Sequence, residues 1–544
     1  MGRPLQCEGH SQLQRSDFST KKLLIKMSER RKDTVLYTLV HNPRLAWSGL
    51  ALALTFFTFG FDGGVISGLL AMPPFAQKYG DGTAQLAPGV PALSSQDQSL
   101  LVSVPNSGCL LGLPLAAYLG DRIGRKRTLL VGSVINIAAA ILQVVAPNMA
   151  AMVIGRWFTN ASIFIFITMA STLMAETSPP AIRGIITGLS IVLIDASAIL
   201  ATGVNYAFSK GTTARAYRVP LSIQIIFGFV ILVSTLFVSD SPSFFLTKSK
   251  DVKALSALRS LRRGYSETEI LAEFEDLKAQ KAIREKTEQV PFKALFQGTD
   301  LRRTLLALSI PNMQQLSGIA FATNYVVVFL STIGSTVSPF VLSMVVALLA
   351  FTGAIVGLFL VDKVGRRVLA LTSFSALFVV NMIVGIMGFL PVTNPIVPKV
   401  IAAFCCMFGF FFAVGFGPLT YVVAAEMPTA RLRNRSSSFT FLTLACFATV
   451  VTYVLPYIVN KDAAGLGPKT YLIFAGWMAG CIAVIYVYLP ETQGRSPAEL
   501  DEMFGAGIPA RQFKHYVCQV SVDAHILAEK EAAVEQAVTI ERKE

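Results

Sequence analysis

Asp62, Arg156, Asp195, Gln314 and Gln315 stand inside long apolar runs, where charged and amide groups are costly and therefore functional candidates. Asp62 lies about two-thirds of the way along the first run and Arg156 about six residues into the fourth, so runs of alternating direction bring the two to one depth. A carboxylate isolated at that depth tends to protonate, whereas a guanidinium beside it keeps it ionised, so the separation of the two can decide proton binding. A permanent pair that only fixes packing is the competing reading. Gln314 and Gln315 fall about ten residues into the seventh run, near mid-depth, where each amide can donate to and accept from a polar solute. The same amides could instead bond a neighbouring helix. Asp195 is also near mid-depth, as a ligand or as the partner of a polar helix.

A second set of charges lies at the ends of the runs. Asp121-Arg122-Ile123-Gly124-Arg125-Lys126-Arg127 follows the second run, and Asp362-Lys363-Val364-Gly365-Arg366-Arg367 follows the eighth. Glu176 precedes Arg183 by seven residues at the end of the fourth run, and Glu426 precedes Arg433 by the same spacing at the end of the tenth. Ion pairs among these groups could hold a gate shut and break when it opens. Their bland role is topological, because clustered Lys and Arg mark cytoplasmic loops. The four His and the scattered acids form no metal or nucleophile constellation, so no enzyme, cofactor or metal site is expected.

The elements that hold these residues follow from composition. Of 544 residues 53% are hydrophobic and 15% charged, and the mean hydropathy is +0.57, against about 25% charged in a soluble domain. Helices are read at about 45–70, 99–119, 127–146, 150–175, 184–208, 219–239, 304–332, 338–361, 367–390, 398–425, 436–459 and 468–489, each near the length that crosses a bilayer. Barrel strands would be shorter and alternate apolar with polar. The net charge of +14 sits in loops and tails rather than on one soluble face, which argues against nucleic acid. Five cysteines fall within apolar spans and two in the tails, without disulfide or metal spacing. The sequons at Asn160 and Asn434 are read as chance matches, one inside a helix and one in a cytoplasmic loop.

The organisation is therefore a cytoplasmic tail over 1–44, a six-helix half over 45–239, a cytoplasmic linker over 240–303 with short amphipathic helices, a second half over 304–489 and a cytoplasmic tail over 490–544. Residues 1–44 are polar and basic, so no cleavable signal peptide is expected there. Two six-helix units with matched charged loops are how many secondary transporters are built, with the substrate site between them.

In their order and spacing these residues resemble the sugar-porter family of the major facilitator superfamily, especially fungal hexose and monosaccharide transporters, over roughly residues 45–505. The resemblance is carried by Phe59-Gly60-Phe61-Asp62-Gly63-Gly64-Val65-Ile66-Ser67-Gly68, both Asp-x-x-Gly-Arg loops, and Glu176 with Arg183-Gly184. Ser241-Pro242, Gln314-Gln315-Leu316-Ser317-Gly318, Gly417-Pro418 and Pro490-Glu491-Thr492-Gln493-Gly494 complete it. It implies an all-α membrane protein of the major facilitator fold, with 12 transmembrane helices, acting as a secondary active transporter. Proton-coupled import of a monosaccharide or related polyol by alternating access is the implied activity, in the plasma membrane, with a monomeric functional unit and no cofactor. Substrate contacts are expected from Gln314, Gln315, Asn324, Tyr325, Tyr421, Phe59 and Asp195, and proton coupling from Asp62 and Arg156. The cytoplasmic gate would comprise Asp121, Arg122, Arg125, Glu176, Arg183, Asp362, Arg366, Glu426 and Arg433.

The departures thin the polar site. Ser239-Asp240-Ser241-Pro242-Ser243 stands where the family has Pro-Glu-Ser-Pro-Arg. Ile191 and Ala320 replace a glutamine and an asparagine, an asparagine of the eighth helix falls near Ala350, and Tyr421 replaces a tryptophan. Each lost neutral hydrogen bond is worth roughly 0.5–1.5 kcal/mol, which keeps two alternatives open: transport of a different small metabolite on this frame, and a non-transporting nutrient sensor. Asp195 lies four residues beyond Ile191, on the same helix face.

Overall fold

The computed structural model describes residues 41–87, 89–287, 291–334, 337–391, 394–429 and 431–519. Twelve helices within it are long and apolar enough to cross a membrane: α1 (Pro43–Leu69), α2 (Ser95–Arg122), α3 (Arg125–Val145), α4 (Met149–Thr177), α5 (Gly188–Phe208) and α6 (Arg215–Leu236), then α7 (Gly298–Thr332), α8 (Pro339–Val361), α9 (Arg366–Met387), α10 (Ile396–Glu426), α11 (Arg435–Val459) and α12 (Gly467–Tyr488). Helices satisfy every internal backbone group, which an apolar solvent demands. The one sheet among the described residues is a two-stranded hairpin, Ala84–Ala87 with Val90–Ala92, between α1 and α2.

Small residues set the closest helix contacts. On α1, Gly60, Gly64 and Gly68 recur every fourth residue against α5, where a Cβ would stand 2.0 Å from the Ile194 carbonyl, 2.6 Å from Ala201 and 2.2 Å from Asn205. This spacing puts one glycine row on one helix face and lets the backbones approach. Gly108 and Gly112 of α2 do the same against α4, and Gly353 and Gly357 of α8 against α10.

The first and last six helices meet along α5 with α8 and α2 with α11. One apolar cluster joins both sets at the end of the bundle that carries the hairpin, packing Phe61, Val65 and Leu69 with Phe321, Tyr325 and Phe329. Two further clusters each stay within one set, around Phe166 and Leu173 in the first and Phe374 and Phe416 in the second. The hairpin end is thus sealed by packing across the two sets, and apolar packing toward the opposite end, which bears the Asp-x-x-Gly-Arg loops, stays within each.

The sequence reading expects one uninterrupted helix over 304–332, and α7 departs from it. Its α-helical part Gly298–Met313 gives way to a 3₁₀ turn at Gln315–Ser317, a π turn at Phe321–Tyr325 and a last α-helical piece, Val326–Thr332. Gly318 causes the break: it adopts φ +94°, where a side chain is strained, and its Cβ would meet the Phe474 ring at 3.1 Å. Between α6 and α7, helices Pro242–Thr247, Asp251–Leu261 and Glu267–Thr287 bury Leu246, Leu258 and Phe274 against one another. After α12, helix Pro497–Gly505 starts with a capping box of Ser496 and Glu499.

Candidate functional site

Asp62 and Arg156 meet as a buried bidentate pair, with Nη1 donating to Oδ1 at 3.3 Å and Nη2 to Oδ2 at 3.2 Å. Arg156 Nε also donates to the Leu101 carbonyl at 2.9 Å, which ties α4 to α2. Asp62 accepts two more bonds, from Gln224 Nε2 at 3.1 Å and Asn160 Nδ2 at 3.4 Å. Four hydrogen bonds onto one carboxylate fix α1, α4 and α6 together. Sequence reasoning missed Gln224 and met Asn160 only as a sequon; the available signal was two amides inside apolar spans.

Nearer mid-depth both sets carry exposed side chains and unfilled room beside glycines. Phe59 and Tyr421 are 42% and 44% exposed. One turn from each, Gly63 and Gly417 have no atom within 4 Å of where a Cβ would stand. Asp195 is half-buried, and it and Tyr421 lie within electrostatic reach of each other. Gln314 lies half-buried beside the α7 break, its Oε1 accepting from Thr420 Oγ1 of α10 at 2.9 Å. Gln315 is buried and Asn324 half-buried. Tyr325 lies deeper toward the seal, where its hydroxyl donates to the Thr452 carbonyl at 3.0 Å. Asp195 makes no hydrogen bond or ion pair with any described residue.

At the hairpin end polar contacts reinforce the apolar seal. Asp462 accepts from the backbone N–H of Ser95 at 2.7 Å and from its hydroxyl at 2.8 Å, so a carboxylate from beyond α11 sits on the first turn of α2. Ser99 donates to the Tyr453 carbonyl at 2.7 Å.

The opposite end repeats one device twice. Gly124 and Gly365 turn the chain at φ +99° and +96°, and the helices that follow begin with Arg125 and Arg366. Arg125 donates back to the Gly120 carbonyl at 3.1 Å and to Glu176 at 3.2 Å; Arg366 donates to the Val361 carbonyl at 3.1 Å and to Glu426 at 3.0 Å. Asp240 accepts from the Lys126 N–H at 3.5 Å, while Glu491 accepts from the Arg366 and Arg367 N–H groups at 2.8 and 3.0 Å. A carboxylate thus rests on each helix start. Burial pushes the Asp240 carboxyl up from the usual carboxylate range, against its backbone hydrogen bonds and the charges of Arg125 and Lys126.

Both Glu–Arg pairs bind helices within one six-helix set rather than across the two. Asp121 is exposed, 3.7 Å from Arg125, and Arg122 lies over the Tyr118 ring. Arg433 is half-buried, and its buried Nε has no partner. The side chains of Arg183 and Asp362 fall outside the described residues. Two arginines that the sequence reading did not select close the helix ends. Arg262 donates to the Thr177 carbonyl at 2.9 Å and pairs with Glu273, and Arg303 donates to the Met427 carbonyl at 2.6 Å and pairs with Asp501.

A family profile described as "Sugar (and other) transporter" matches residues 49–504. The chain is 28% identical over 463 residues to the major facilitator-type transporter ecdD of Aspergillus rugulosus, a match covering 82% of this chain and 84% of that protein. It is 27% identical over 467 residues to the probable glucose transporter rco-3 of Neurospora crassa, covering 84% and 78% respectively. Among solved structures it resembles the xylose transporter XylE of E. coli in a partially occluded inward open conformation, with a TM-score of 0.69 at 17% identity over 84% of this chain and 100% of that one. XylE as a proton:xylose symporter bound to 6-bromo-6-deoxy-D-glucose matches at a TM-score of 0.68, with 18% identity, over 85% of this chain and 99% of that one. At such identity the likeness is one of fold, the major facilitator arrangement of twelve membrane helices.

Proposed function

The chain belongs to the sugar and other transporter family, and on that premise we propose that it is a secondary active transporter importing a monosaccharide or related polyol together with a proton by alternating access. The observation that supports this reading is a set of partly exposed side chains, Phe59, Asp195, Gln314 and Tyr421, on helices of both sets beneath a sealed end that contains Asp62 and Arg156. Gln314 and Gln315 offer amides to sugar hydroxyls, and Asn324 adds a third. The named activities of the glucose and xylose transporters above point to the same cargo.

The loop end, both tails and the linker face the cytoplasm of a plasma-membrane protein, because Arg122, Arg125, Lys126, Arg127, Lys363, Arg366 and Arg367 cluster in the short loops there. Opening outward then means parting α2 from α11 and Ser99 from the Tyr453 carbonyl, while each Glu–Arg pair and Arg262 keep their own six-helix set rigid. Protonation of Asp62 frees Arg156 from the pair and loosens α4 from α1. The chain works as a monomeric functional unit.

A competition panel of labelled hexoses, polyols and organic acids in vesicles with an imposed pH gradient tests this. Uphill, proton-driven uptake of a hexose or polyol is expected. Uptake confined to an organic acid would favour the second reading, another small metabolite on the same frame, to which the apolar Ile191 and Ala320 point. Binding without flux would favour a sensor.

A further inference from the structure

Two carboxyl groups lie deep within the described membrane helices, and their surroundings are opposite. Asp62 accepts four hydrogen bonds and pairs with Arg156, whereas Asp195 accepts none and pairs with nothing described. The helices packed on α5 are α1, α8, α6 and α4. On α1, Arg44 lies in the first turn at the loop end and Asp62 is already engaged, and α8 carries no ionisable group within Pro339–Val361. On α4, Arg156 is held by Asp62 and Leu101, and Glu176 by Arg125. On α6, Arg215, Tyr217 and Arg218 lie at the hairpin end. On α10, Lys399 lies at the hairpin end and Glu426 is paired with Arg366, which leaves Tyr421 within electrostatic reach of Asp195.

An unpaired carboxylate at mid-depth in a membrane helix is costly, so a group in this position gains by taking a proton or a cation. A metal cation would need several oxygen ligands. Among the described residues no group of three or more His, Cys, Asp or Glu could hold one, whereas a proton needs a single carboxylate oxygen.

We propose that Asp195 is a proton-binding ligand of the central cavity, loaded together with the substrate and unloaded toward the loop end. In the loaded state the new carboxylic O–H donates to a substrate oxygen, and the carbonyl oxygen faces Tyr421. When the cavity opens, that O–H bond breaks, the proton passes to water and the electron pair stays on the carboxylate. The transport half of this inference rests on the function proposed above; the proton-binding half does not.

Difference infrared spectroscopy of the purified full-length protein separates the two halves, because a carboxylic acid and a carboxylate absorb apart and no cargo is needed. The wild type is expected to gain a carboxylic C=O band as pH falls. Asp195→Asn should lack it, and Asp195→Glu, which also controls for folding, should keep it at a shifted position. Asp62→Asn should leave it in place. A second arm follows D-glucose and D-xylose uptake into proteoliposomes, where Asp195→Asn should lose the acceleration by an inward proton gradient and Asp195→Glu retain it. The same titrating band in wild type and Asp195→Asn would overturn the proposal, as would a carboxylate that stays ionised throughout. With neither sugar transported, the infrared result still decides whether Asp195 binds a proton, and the sugar reading falls by itself.

Discussion

The two six-helix sets are nearly superimposable in chemistry at the loop end and unlike each other above it. Arg125 with Glu176 and Arg366 with Glu426 repeat the same bonds, down to an arginine donating to the carbonyl five residues before it. Arg262 and Arg303 donate to the carbonyls of Thr177 and Met427, each the residue after the motif glutamate. Moving inward, the repeat fails. Arg156 stands twenty residues before Glu176, and the residue twenty before Glu426 is Cys406. The first set therefore stores a buried charge pair where the second is apolar. Conversely α1 is one continuous helix and α7 is broken at Gly318. The loop end carries the same contacts twice, whereas above it the first set holds the buried charge pair and the second the broken helix.

The strongest way to break this comparison is Asp62→Asn. The amide keeps the shape and loses the titration, and it leaves Arg156 without its counter-ion in a buried site, which typically costs 3–5 kcal/mol. The single variant should lose thermal stability and all uphill accumulation in vesicles. Asp62→Asn with Arg156→Gln should recover much of the stability and still fail to accumulate. Accumulation by the double variant at the wild-type level would make the pair a packing device and leave the two sets functionally alike.

A smaller effect is expected from the second set. Gln314→Ala removes the amide beside the α7 break and its bond to Thr420, a loss of roughly 0.5–1.5 kcal/mol. The half-saturation concentration for the transported sugar should rise about two- to tenfold, with the coupling to protons intact. Loss of coupling here would blur the division between the sets.

The sequence made some of this legible for a physical reason: a span must be apolar along its whole length, so a single Asp62 or Arg156 is conspicuous and its depth can be counted. Pairing across the fold was less visible. The repeated spacing of Glu176 to Arg183 and Glu426 to Arg433 pointed to charged helix ends, yet both glutamates pair with arginines from another loop, a choice made by helix packing rather than by spacing. Gln224 carries no comparable signal, because an amide in a span is usually a helix-to-helix bond. The break in α7 escaped because hydropathy runs straight through it, and only the packing against Phe474 requires the left-handed glycine.

The least effect, and the finest test of the repeat, lies at the one place where the two latches differ. Glu426 uses both oxygens, Oε1 for Arg366 and Oε2 for the Thr492 hydroxyl at 2.7 Å, whereas Oε2 of Glu176 is buried without a partner. Ser241 occupies the position matching Thr492, next to Asp240 as Thr492 is next to Glu491, but its hydroxyl accepts from the Phe244 N–H instead. Thr492→Ala should therefore turn the second latch into a copy of the first at about 1 kcal/mol, the usual net worth of one hydrogen bond. Ser241→Ala should cost about as much through the lost helix cap. The two losses differ in what they couple to. Thr492→Ala and Glu426→Gln share a bond, so their effects on the melting temperature should fall short of additive, whereas Ser241→Ala and Glu176→Gln share none and should add. Equal coupling in both halves would mean that Ser241 reaches Glu176 during the transport cycle, and the two latches would then be alike in every contact.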